Sequence, residues 1–179
     1  MSKGGISPFL VQELPGFTPQ ISNLVVMMNY ARYTTIMAVQ GLSMGELDYL
    51  HDSQSNTIGA LLGHIAAVEV AYQVDTFEGR GLSGEERRKW DAFLDLGEKA
   101  RANIRGHPLE YYLHLLHDIR AKTLNEFAKR SDDWLYEQTL FWGGQPANNY
   151  FKWFHVFEDE INHRGQIRWL CKRLPMKGG

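Results

Sequence analysis

The sequence predicts an all-α chain, a four-helix bundle with a long connection carrying short helices between its second and third long helices. Three observations carry that expectation. Four stretches of the 179-residue chain keep apolar residues at helical spacing. Each is bounded by a capping residue, a proline or a glycine where such residues start or stop helices. No segment alternates between hairpin turns over a sustained length, so no sheet is expected. The length fits one domain over residues 1–179, with 1–17 an irregular lead-in holding Pro8 and Pro15 and 175–179 a tail.

The first long helix runs from Thr18 to about Gly41, with Ile21, Leu24, Val25, Met28 and the stretch Tyr33 to Ile36 approximating its inward stripe. Thr18 stands at the cap and Pro19 at the first helical position, where its missing N–H costs nothing. Gly41 ends the helix. Ser43 and Glu46 have capping-box spacing over one short turn, followed by a polar loop through Ser53. The second long helix spans about Asn56 to Phe77, with Ser55 as its cap. Its Ile58, Leu61, Leu62, Ile65, Val68 and Tyr72 form the strongest apolar stripe in the chain. The long connection extends from Gly79 to His107. Ser83 and Glu86 repeat the capping box there, and the stretch to about Ala102 reads as one or two short helices. Pro108 opens the third long helix, Leu109 to about Arg130, with Tyr112, Leu115, Leu116, Ile119 and Leu124 inward. The fourth begins at Pro146 and runs to about Arg173, stopped by Pro175. Such connections describe a bundle with crossings.

Composition narrows the function classes. Hydrophobic residues make up 44% and charged residues 22%, the balance of a globular chain that needs no disulfide or structural zinc to fold. The formal charge is −2 and the basic residues are scattered, which argues against a nucleic-acid partner. One cysteine, Cys171, allows neither an internal disulfide nor a cysteine-based zinc site. No apolar run is long enough for a membrane span or a secretory signal, so a cytoplasmic protein with no membrane partner is expected.

Of seven histidines, most are expected to be bland surface or core residues. The fourth helix differs, because His155, Asp159 and His163 follow one another at i, i+4 and stack along one face. Two of them can ligate one ion if another helix supplies a third ligand, leaving an open coordination position. Imidazole and carboxylate suit zinc, nickel, iron or manganese, whereas calcium wants more oxygens. The competing reading is a solvated polar face, since Phe151, Trp153, Phe154, Phe157 and Ile161 form the bulky apolar arc and Asp159 and His163 lie roughly opposite. His64 flanks the apolar stripe of the second helix, where an unpartnered imidazole would be costly. Gly59 and Gly63 precede it and Gly165 follows His163. These glycines either let two backbones approach so that short side chains converge, or make room for aromatic rings; sequence leaves both open.

Rival sites are weaker. His114 and His117, with Glu110 and Asp118, lie off the direction marked by Leu115 and Leu116 and are expected to be exposed. A di-iron site needs two Glu-x-x-His pairs and further inward glutamates. Glu160 and His163 form one pair, and neither a second pair nor inward glutamates are apparent. Cys171 reads as a small packing residue rather than a nucleophile.

The segment NTIGALLGHIAAVE resembles the second helix of the DinB/YfiT-like proteins, and FHVFEDEINHRGQI resembles their fourth, which carries H-x-x-x-H-x-x-x-H or a variant followed by R-G-Q. The likeness covers nearly the whole chain, with its specific motifs confined to these helices. It implies a metal triad of His64, Asp159 and His163. Asp159 stands where many members have histidine and the mycothiol-dependent isomerase branch has glutamate, with His155 as the substitute ligand. The resemblance further implies zinc or nickel, a homodimer, and a transferase using a low-molecular-weight thiol of the bacillithiol or mycothiol type, or metal-activated water, on a small electrophile. The alternative is a non-catalytic, stress-associated bundle with a structural metal or none. Gln166, which stays near the ligand face of its helix, is the residue expected to orient the ligands.

Overall fold

Proline and capping chemistry place the first helix where the sequence predicts it, and the computed structural model, which describes residues 7–175, carries the pattern through the chain. The helices are α1 (Pro19–Val39), α2 (Met44–Leu47), α3 (Ile58–Glu78), α4 (Gly84–Asp95), α5 (Gly97–Asn103), α6 (Leu109–Phe127) and α7 (Asn149–Cys171). The four long ones, α1, α3, α6 and α7, pack as a ring: α7 lies against α1 and α3, and α6 lies against α3 and α1. Helices α4 and α5 fill the long connection as expected. Residues 1–6 of the lead-in and 176–179 of the tail lie outside the described residues; 7–18 are irregular.

Both capping boxes form, with Ser43 and Glu46 on α2 and Ser83 and Glu86 on α4. Other caps differ from the sequence reading. Thr57, not Ser55, caps α3 by accepting the N–H of Ala60 at 3.1 Å. Thr18 sits at the start of α1, but its hydroxyl donates to the Asp132 carboxylate. Asp132 in turn accepts the N–H groups of Gln20 at 3.1 Å and Ile21 at 3.3 Å. A carboxylate at a helix N-terminus satisfies orphan donors and meets the positive end of the dipole. Local spacing could not predict a cap supplied from so far along the chain.

The expectation of no sheet is wrong. Strands β1 (Gln138–Leu140) and β2 (Pro146–Asn148) pair antiparallel, with Leu140 opposite Pro146. Gly143 and Gly144 turn the chain between them at φ of 62° and 72°, a conformation glycine adopts freely. Three-residue strands are too short to show alternation; the Gly-Gly pair was the available signal. The hairpin also moves the start of α7 from Pro146 to Asn149, where Asn148 accepts the N–H of Phe151 at 2.9 Å.

The core falls into two hydrophobic clusters, one on Ile58, Leu62, Ile65 and Leu116 and one on Leu24, Met28, Phe127 and Trp153. Between them along the helices sits a buried quartet of charges, with one residue each from α1, α3, α6 and α7. Arg32 donates to Glu160 at 2.9 Å and Glu69 at 3.1 Å, and Arg120 donates to Glu69 at 2.7 Å and Glu160 at 3.4 Å. Thr123 donates to Glu69 at 2.7 Å, and the Leu116 carbonyl accepts from Arg32 at 2.8 Å. Burial alone would raise the Glu69 pKa, but Arg120 and Arg32 outweigh it and hold the carboxyl below its ordinary value.

This quartet explains where the apolar stripes deviate. On α1, Arg32 and Thr35 point inward while Tyr33 and Ile36 are 45% and 38% exposed. On α7, Lys152 and Glu160 are buried while Phe151, Phe154 and Ile161 of the expected apolar arc are exposed. Leu115 and Leu124 on α6 are only partly buried. Buried charges held by opposite charges can displace apolar residues from the interior, even though Arg120 Nη1 is left without a hydrogen-bond partner.

The glycines before His64 serve aromatic rings. A Cβ on Gly59 would strike the Tyr112 ring and hydroxyl, one on Gly63 would strike Phe93, and one on Gly165 would meet nothing. Gly59→Ala should therefore destabilise the fold despite its better helix propensity. The propensity gain is about 1 kcal/mol, and overpacking against a fully buried ring costs roughly 1–3 kcal/mol. A lower urea midpoint at unchanged m-value would report it; a higher midpoint would show that Tyr112 yields freely.

Candidate metal site and its pocket

Helices α3 and α7 bring three of the predicted side chains together. Ligand atoms of His64, Asp159 and His163 all lie within 4.8 Å of one another. Asp159 Oδ1 is 3.3 Å from His163 Nε2, and Asp159 Oδ2 is 3.8 Å from His64 Nε2. The imidazole rings of His64 and His163 meet edge to face at 4.6 Å. All three side chains are only 12–15% exposed. Asp159 is long enough to reach both imidazoles.

Local contacts aim the ligand atoms. His64 Nδ1 lies 2.7 Å from the carbonyl oxygen of Phe93, the residue for which Gly63 makes room. A carbonyl only accepts, so Nδ1 donates its proton there and Nε2 is the ring nitrogen that faces Asp159. Burial alone would raise the Asp159 pKa, but hydrogen bonding and charge from His163 and His64 outweigh it and hold it well below the ordinary carboxylate range. Asp159 Oδ2 and His163 Nδ1 are buried without hydrogen-bond partners.

The residue set fits a divalent metal. Tetrahedral bonds of 2.0–2.1 Å put ligand atoms about 3.3 Å apart, against 3.3 and 3.8 Å from Asp159 to the two imidazoles and at most 4.8 Å within the set. A buried, partnerless carboxylate oxygen aimed at an imidazole nitrogen is the kind of orphan an ion satisfies. Three protein ligands would leave one coordination position open.

His64 and Asp159 also line a pocket of about 490 Å³, together with Tyr72, Asp75, Phe141 and Trp142, among others. His155 lines it as well, but turns from the triad toward Tyr72, whose hydroxyl is 3.3 Å from its Nδ1, and packs edge to face on Trp142 at 4.8 Å. Burial and the charges of Asp159 and Asp75 raise the Tyr72 pKa, so its hydroxyl keeps its proton. Buried Lys152 donates to Asp75 and Thr139, each at 2.6 Å, and so ties the hairpin to α3 and α7. Sequence reasoning missed this wall. Phe141 and Trp142 lie on the unpredicted hairpin, whereas Tyr72 is buried on the α3 stripe as expected and also lines the pocket.

The remaining candidates separate clearly. Gln166 is exposed and lines a different pocket with Leu61, Asn162 and Trp169. His114 and His117 are exposed on α6, as expected. Cys171 is half-buried, and burial raises its thiol pKa, which suits packing rather than nucleophilic attack. The di-iron reading meets a correction, because two inward glutamates do exist, Glu69 and Glu160. Arg32 and Arg120 already neutralise both.

A family model described as mycothiol-S-transferase matches residues 23–174. No curated protein matches the chain.

Proposed function

The chain belongs to the mycothiol-S-transferase family, and on that premise we propose that it is a metal-dependent enzyme that transfers a low-molecular-weight thiol to a small electrophile. The observation that carries this reading is the convergence of His64, Asp159 and His163 at the wall of an aromatic pocket. His64, Asp159 and His163 would hold zinc or nickel, two of the ions that imidazole and carboxylate suit.

A bound ion would supply positive charge that favours thiolate over thiol at neutral pH. The chain's own residues do the rest. Asp159 stays anionic, and the Phe93 carbonyl holds His64 in one tautomer. Tyr72, Phe141 and Trp142 exclude water from one side of the reacting atoms. The thiol gives its proton to solvent, its sulfur electron pair forms the new S–C bond, and the leaving group departs with the pair of the bond that breaks. The protonated Tyr72 hydroxyl can donate a hydrogen bond to the charge that develops there.

The test is thioether formation between mycothiol, bacillithiol or cysteine and monochlorobimane. Turnover should require zinc or nickel, vanish on chelation and return on reloading, while helicity is unchanged throughout. Background rates with every thiol on metal-loaded protein would refute the transferase reading, and loss of helicity on chelation would mark a structural ion.

A further inference from the structure

A second pocket of about 550 Å³ lies beyond the triad on the same seam, lined by Gln54, Asn56, Asn162, Gln166 and Trp169, among others. Along α3, Leu61 lines this pocket, His64 follows one turn on, and Val68 and Ala71 line the aromatic pocket. Along α7 the order is Trp169 and Gln166, then His163 and Asp159, then His155. At about 100° per residue these positions share one face of each helix. The two pockets therefore lie in line, with the triad between them and about 15 Å of helix from Leu61 to Ala71.

Their chemistries differ. The Trp169 pocket is walled by amides, Ser55 and apolar surface, with no ionisable side chain among its lining residues. Asn162 and Gln166 are exposed amides, each offering both donors and an acceptor. Trp169 is held by the Arg173 guanidinium over one face at 3.6 Å and by His51 at its edge. The other pocket is aromatic. Trp142 stacks on Phe141 at 4.8 Å and remains 66% exposed, and the charge of Asp75 is taken by Lys152.

We infer that the triad divides this seam into two subsites, an uncharged amide-lined one beside Trp169 for the hydroxyl- and amide-bearing body of the thiol, and an aromatic one beside Trp142 for a flat, apolar electrophile. This rests on the transferase reading for the direction of transfer. A sulfur placed at the triad attacks a carbon with the leaving group on the far side, so the two reactants must extend in opposite directions. The end rich in hydrogen-bonding groups suits a water-soluble thiol. The exposed indole suits ring stacking.

The experiment uses metal-free protein and follows the indole N–H resonances of Trp142 and Trp169, assigned with Trp→Phe variants. N-acetylglucosamine serves as the neutral hydroxyl-amide probe and nitrobenzene as the flat apolar one. N-acetylglucosamine should shift the Trp169 signal alone, and nitrobenzene the Trp142 signal alone. Gln166→Leu should weaken only the first probe and Phe141→Ala, which keeps the Trp142 reporter, only the second, each about fivefold. Both probes moving the same indole, or neither probe moving its own at tens of millimolar, would overturn the division. Because neither metal nor turnover enters, separate shifts in a protein that never binds metal would sink the transferase reading and leave the subsites standing.

Discussion

Glu69→Leu is expected to lower the free energy of unfolding by about 3–5 kcal/mol, because it leaves Arg32 and Arg120 buried with one carboxylate between them. Domains of ordinary stability have only 5–15 kcal/mol to lose. Desolvation makes the quartet costly to assemble, so its net worth is small while the cost of breaking it is large. Replacing all four residues together, as Arg32→Met, Glu69→Leu, Arg120→Met and Glu160→Leu, should therefore recover most of the loss in urea titrations. Failure to recover would mean that the charges specify the bundle beyond filling it. Acid should act on the same element. Glu69 titrates below its unfolded value, so its contribution is complete above the unfolded carboxyl pKa and is lost as pH falls through the lower folded one.

The second large effect is on metal. His64→Ala, Asp159→Asn and His163→Ala should each reduce bound zinc or nickel from about one ion per chain to background, measured by elemental analysis after desalting. His155→Ala should retain the ion, since its ring faces Tyr72 and Trp142 rather than the triad. The three ligand variants should unfold at urea concentrations close to that of the wild type, because none of these residues belongs to either hydrophobic cluster. Loss of metal in His155→Ala with retention in Asp159→Asn would exchange the roles of those two residues.

Much of the bundle was legible because its determinants are local. Pro19, Ser43, Ser83 and the α3 stripe act within a turn or two of themselves, and spacing reads such signals well. Determinants that act across the chain were not legible. Asp132 caps α1, Lys152 anchors the hairpin through Asp75 and Thr139, and Arg32 draws α1 inward through partners on three other helices. A buried arginine and an exposed one look alike in a linear pattern until the partner is known.

The site was legible for a similar reason. Asp159 and His163 are one helical turn apart, and His64 stood out as an imidazole beside an apolar stripe. Their mutual approach across helices came from resemblance, not spacing. Gly59 and Gly63 show how a correct clue can have the other of its two meanings: they seat Tyr112 and Phe93. Phe93 then turns its carbonyl to His64, so the ring packing reaches the site indirectly.

The most direct measurement is the position of an anomalous scattering peak in crystals of protein loaded with zinc or nickel. A single peak should lie 2.0–2.2 Å from His64 Nε2, an Asp159 carboxylate oxygen and a His163 ring nitrogen, with a fourth contact open to the pocket that holds Trp142. A peak at other residues, or His64 and His163 with no density between them in metal-loaded crystals, would contradict the joint grip of α3 and α7 on one ion.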